Sequence, residues 1–163
     1  METNLHLQPA NDNDQVDTSF DYRGAVGMLL YSATCTRPIL AYVVGQLSRF
    51  VAAPTKQHVG CIKRVLRYLD GNTNQGIHYK RQTHDRDRRE VEIMLNGYCD
   101  SAWASDVGSR KSTGGFVFEL SGGAVAWASK RQQITAVSTA EAEYVAACEA
   151  MMEAIVRKDG REV

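Results

Sequence analysis

Residues 114–130, GGFVFELSGGAVAWASK, decide the fold, because they read as two strands and the turn that joins them. Phe116, Val117 and Phe118 form an aromatic and β-branched run, and Ala124 to Trp127 form a second apolar run. Between them Ser121-Gly122-Gly123 offers residues suited to a tight hairpin. Upstream, EIMLNGYCD (residues 92–100) predicts another strand, in which Ile93, Met94, Leu95 and Tyr98 lead up to the carboxylate of Asp100. Three strands in succession predict an antiparallel meander. From about Ser138 the period becomes helical, and Val137, Ala140, Tyr144, Ala147, Met151 and Ile155 share one face at about 100° per residue. That face is expected to cover the sheet, which makes the fold class α+β.

The first half of the chain reads differently. Residues 1–20 are rich in Asn, Asp, Gln and Thr and poor in large apolar groups, so they are expected to be a disordered lead-in. A helical region is expected over 21–80, broken at Thr36-Arg37-Pro38 and at Ala53-Pro54-Thr55 into three helices. In the last of these Thr55 is the N-cap, Val59, Ile62, Val65/Leu66 and Leu69 recur at three- and four-residue steps, and Asp70-Gly71 is the stop. Lys56, Lys63, Arg64 and Arg67 fall largely off that stripe. Such a face either contacts phosphate, releasing counterions, or is simply solvated. Residues 80–90, KRQTHDRDRRE, hold eight charged residues in eleven and no large apolar one, so 81–90 is expected to be a charged linker and 91–163 a second domain.

Composition sets the outer limits. A chain of 163 residues buries one core or two small ones, and 44% hydrophobic with 23% charged residues is ordinary for a globular protein. Nineteen basic residues against nineteen acidic ones name no partner by net charge. Cys35, Cys61, Cys99 and Cys148 are too far apart for a CxxC knuckle and no signal peptide is legible, so reduced thiols and a cytoplasmic or nuclear, non-secreted location are expected. Apolar runs such as GAVGMLLY are far short of the roughly 20 residues of a membrane helix.

Asp100 is the first candidate for chemistry, and a carboxylate on the covering helix is its natural partner. Glu141 and Glu143 are about 200° apart around a helix, so at most one faces a given site. With Ala140 at the centre of the buried stripe, Glu143 lies about 60° away and Glu141 about 100° on the other side, which favours Glu143. Two partly desolvated carboxylates repel unless a cation sits between them, and oxygen ligands suit Mg²⁺. The plainer alternative makes Asp100 a turn former and Glu143 a helix-surface residue.

Four ordered segments go further. Asp100 to Trp103, Arg110-Lys111-Ser112-Thr113, Trp127 to Gln132 and Glu141-Ala142-Glu143-Tyr144 together resemble the ribonuclease H domain of Ty1/copia-type retrotransposon Pol polyproteins. The stretch from Tyr22 to Tyr79 resembles the thumb-like helical region that follows the reverse transcriptase palm in the same polyproteins, so the likeness spans about residues 22–157. It implies a thumb-like helical segment followed by a partial ribonuclease H-like fold. In that family Asp100 and Glu143, with further carboxylates, would hold Mg²⁺ (or Mn²⁺) ions that activate water to cut the RNA strand of an RNA–DNA hybrid. Asp106 belongs to the pattern without an assigned metal role. Arg110, Lys111, Ser112, Thr113, Lys130 and Arg131 are expected either to contact the hybrid's phosphates or 2′-hydroxyls or to be solvent-facing loop residues.

The family pattern continues into further strands that supply a third carboxylate, whereas this sequence changes to RKDGREV. Asp159 lies only about four turns beyond Glu143 on the same helix and is a poor substitute. No Asp-Asp pair of a polymerase site occurs. The expectation is a Pol-derived fragment with an incomplete catalytic set, whose sheet keeps an unpaired edge. Three functions remain open: a metal-dependent hybrid nuclease completed by the rest of a Pol polyprotein, a non-catalytic nucleic-acid-binding module, and an inert remnant.

Overall fold

The computed structural model describes residues 7–10, 15–80 and 94–158. The chain forms two compact units, divided between Gly76 and Ile77.

In the first unit, α1 (Tyr22–Cys35), α2 (Ala41–Leu47) and α3 (Lys56–Asp70) are joined by short 3₁₀ turns at Pro38–Leu40 and Ser48–Phe50. The breaks fall where Pro38 and Pro54 withdraw a backbone N–H. Each helix has a local reason to start. Asp21 accepts the Gly24 amide at 2.9 Å to begin α1, and at the head of α3 the Thr55 amide donates to the His58 ring at 3.0 Å. The core gathers Tyr22, Val26 and Leu29 of α1, Val44 and Leu47 of α2, and Val59, Ile62 and Val65 of α3. His58 is fully buried, stacked on Phe50 with ring centroids 4.2 Å apart. Arg37 donates to the Asn72 carbonyl at 3.0 Å, tying the α1–α2 junction to the end of α3.

Residues 15–20 depart from the expected disordered lead-in. Val16 pairs with Thr55 in an antiparallel bridge, the Asp17 amide donates to the Pro54 carbonyl at 2.8 Å, and Leu7 and Phe20 pack on the helical core. Two apolar side chains suffice because a preformed core receives them. Residues 1–6 and 11–14 lie outside the described residues.

The second unit is the expected meander: β1 (Leu95–Ala102), β2 (Thr113–Leu120) and β3 (Gly123–Arg131), antiparallel in the order β1-β2-β3, followed by α4 (Thr139–Lys158). Ser121 and Gly122 both have positive φ, 51° and 78°, the type I′ geometry whose twist suits a two-residue hairpin. Residues 77–80 belong to this unit rather than to the helical region: the Lys80 amide donates to the Ser121 carbonyl at 2.8 Å and the Tyr79 hydroxyl to the Ala124 carbonyl at 2.8 Å. The charged run 81–90 lies outside the described residues.

One expectation about packing is corrected, while β1, an edge strand, leaves Leu95 and Tyr98 exposed. On α4 the expected covering face is also outward: Val137, just before the helix, and Tyr144, Met151 and Ile155 within it are exposed, while Ala142, Ala146 and Ala150 are buried. The cause is a close approach of helix to sheet. A Cβ placed on Gly114 would sit 3.3 Å from that of Ala146, so only alanine-sized side chains fit beneath α4. Phe118, Ala126 and Ala150 form the small core, with Phe116, Val125 and Ala154 packed on it.

Candidate functional site

The site is built where α4 crosses the end of β1. Glu143 accepts the backbone amide of Ser101 at 3.3 Å, so its carboxylate reaches the peptide that joins Asp100 to Ser101. Asp100 is exposed on the edge strand, and so is Glu143 on the helix. Glu141 is occupied elsewhere: it accepts the Val137 amide at 2.7 Å while its own amide donates to the Ser138 hydroxyl at 3.2 Å. That is a helix-capping arrangement, and the Ser-x-x-Glu spacing at 138–141 was its sequence signal.

The strand register aligns the basic candidates with this end of the sheet. Ser101, Gly114 and Lys130 form one cross-strand row, and Ala102, Thr113 and Arg131 the next. Lys130, Arg131 and Arg110 are exposed. Lys111 is half-buried and donates to the Gln133 carbonyl at 2.5 Å. Arg131 pairs with Asp106 at 2.8 Å, which offsets its charge.

Ser112 and Thr113 do not belong to an exposed binding run. Ser112 is fully buried, with its hydroxyl accepting the Ala104 amide at 3.1 Å, and Thr113 is buried with its hydroxyl 2.9 Å from that of Ser105. Both hydroxyls face inward to hold the 103–112 loop, a pairing no local sequence pattern announces.

Other residues of the four segments also prove to be supports. Trp103 donates to the Ala136 carbonyl at 3.1 Å, fastening the approach of α4 to the end of β1. Buried Gln132 donates its side-chain amide to the Ala142 carbonyl at 2.8 Å and its backbone amide to Ser112. Asp106, left without a role by the sequence reading, organises the loop: its carboxylate accepts the Ser109 hydroxyl and the Arg131 guanidinium, and its carbonyl accepts the Arg110 amide at 2.7 Å. Arg110 has φ +56°, so the loop presents this side chain from a backbone conformation that non-glycine residues rarely adopt.

Among the described residues no group of three His, Cys, Asp or Glu side chains converges. Mg²⁺ is ordinarily held by one or two carboxylates together with substrate phosphates, and Asp100 and Glu143 are the carboxylates that the motif segments bring to this end of the sheet.

A second charged surface lies on the helical unit. Lys56, Lys63, Arg64 and Arg67 of α3 are all exposed. Between residues 22 and 76 the sequence holds seven Lys and Arg (23, 37, 49, 56, 63, 64 and 67) against the single acid Asp70, a balance of +6 within a chain of zero net charge.

No helix among the described residues is long and apolar enough to cross a membrane, and all four cysteines are free thiols. Neither a family model nor a solved structure matches the chain. Curated proteins do. Over 134 residues it is 43% identical to the secreted RxLR effector protein 161 of Plasmopara viticola, covering 82% of this chain and 89% of that protein. Over the same length it is 42% identical to the retrovirus-related Pol polyprotein from transposon TNT 1-94 of Nicotiana tabacum, and it is 40% identical over 124 residues to that from transposon RE1 of Arabidopsis thaliana. Those alignments cover 82% and 76% of this chain but only 9% and 8% of the polyproteins. The four motif segments and these identities give one assignment: the chain belongs to the retrovirus-related Pol polyproteins of copia-type retrotransposons.

Proposed function

We propose that this Pol-derived chain binds RNA–DNA hybrid through a ribonuclease H-like second unit and a thumb-like helical unit, with Asp100 and Glu143 as the carboxylates it brings to the site. The observation that carries the reading is the contact of the Glu143 carboxylate with the Asp100–Ser101 peptide, which joins two motif segments across the helix and the edge strand. In this reading Asp100 and Glu143 would hold Mg²⁺, which would supply charge neutralisation at a phosphate of the hybrid. Exposed Arg110 and Lys130, near the same end of the sheet, draw the backbone in, and the α3 face adds a sequence-independent contact.

Among the described residues no third carboxylate converges with these two, so binding without efficient turnover is expected. The test is cleavage and binding of an end-labelled RNA–DNA hybrid in Mg²⁺ and in Mn²⁺, with Asp100→Asn alongside. Salt-sensitive binding by both chains, with no cleavage above the Asp100→Asn background, is the expected result. Cleavage that Asp100→Asn abolishes would show that two carboxylates suffice and overturn the expectation of binding without turnover. Absence of hybrid binding at low salt would overturn the nucleic-acid reading altogether.

A further inference from the structure

Lys63 of the basic α3 face already meets another part of the same chain, and Lys56 stands near it. The segment 15–21 runs past the head of α3, pinned by the Val16–Thr55 bridge, within which the Asp17 amide donates to the Pro54 carbonyl. Phe20 is half-buried against the helical core, and the ammonium of Lys63 sits 5.9 Å from the centre of its ring. Asp17 is ionised readily: its carboxyl lies below the usual range, first because it accepts the hydroxyl and the amide of Ser19, and further because Lys56 and Lys63 stand nearby. The far end is anchored at Asp21, which caps α1. Residues 1–21 contain no Lys or Arg at all, whereas residues 22–76 carry the +6 balance described above.

We propose that residues 15–21 act as an internal strap beside the exposed Lys56 and Lys63 on the basic α3 face, and that a polyanion must displace it to use these two lysines to the full. The inference rests on the nucleic-acid reading above. The strap is held by one isolated bridge, a single aromatic ring and a few charges, so it can lift while the helical core stays closed. Asp21 is the natural hinge, because its cap on α1 is independent of the contacts with α3.

The test uses the full chain and the double variant Asp17→Asn/Phe20→Ala, with circular dichroism to show that both keep their helices. Two readouts are taken: binding of a labelled RNA–DNA hybrid over a salt series, and acetylation of Lys56 and Lys63 without nucleic acid, referenced to exposed Lys130. The strap predicts hybrid binding roughly tenfold tighter in the variant, with a log–log salt slope steeper by about two units as two more lysines reach phosphate. It also predicts faster acetylation of Lys56 and Lys63. Equal affinities, equal slopes and unchanged lysine reactivity would overturn it. Faster acetylation with no hybrid binding by either chain would overturn the nucleic-acid reading and the competition with it, leaving a clasp that only packs.

Discussion

Tyr22 shows how a single side chain couples the helical unit to its surroundings. Its hydroxyl donates to the Leu47 carbonyl at 2.9 Å, joining α1 to α2, and burial, with a smaller contribution from Cys61, pushes the phenol from 10.0 up to about 12. Folding therefore favours the neutral phenol. The stability it contributes is fully present below pH 10 and is lost as the pH rises through about 12. Far-ultraviolet circular dichroism should show helix loss across that window, and Tyr22→Phe should remove this alkaline component. At neutral pH the same substitution should cost about 1 kcal/mol, through the hydrogen bond it deletes. At this scale the sequence was informative where chemistry is local and silent where it is not. Asp100 and Glu143 stood out through the ordered segments around them, but the inward-facing hydroxyls of Ser112 and Thr113 depend on Ala104 and Ser105, several residues away across a loop.

Elements were legible wherever caps and breakers mark them. Pro38, Pro54, Thr55 and the Asp70-Gly71 stop place the helix boundaries, and the Ser121-Gly122 turn places the hairpin, because each acts on its immediate neighbours. The buried side of α4 was not legible, since counting large apolar residues selects the Tyr144/Met151 face while the sheet selects the Ala142/Ala146/Ala150 face. The two faces make opposite predictions. Ala146→Leu drives a larger side chain against Gly114 and should destabilise the second unit by about 1–3 kcal/mol, as overpacking does. Met151→Ser, on the exposed face, should change stability by no more than about 0.5 kcal/mol. Urea unfolding of the two variants separates them, and a larger loss from Met151→Ser would return the covering role to the outer face.

At the scale of the whole molecule the two units carry separate cores, one centred on Leu47 and Ile62 and the other on Phe118 and Ala126. Calorimetry should resolve two transitions, with Tyr22→Phe lowering one and Ala146→Leu the other. A single transition lowered by both would mean one cooperative block. Composition pointed to a boundary in the charged run at 81–90, but the division falls at Gly76/Ile77. The difference comes from a tertiary clamp that charge patterning does not register: Tyr79 and Lys80 grip the hairpin at Ser121 and Ala124, so close to Gly123 that a Cβ there would meet the tyrosine ring at 2.5 Å. This clamp changes what the chain between Lys80 and Leu95 must do. Both of its ends belong to the same unit, so a single cut there would leave the first unit joined to the second through the Tyr79–Lys80 clamp alone.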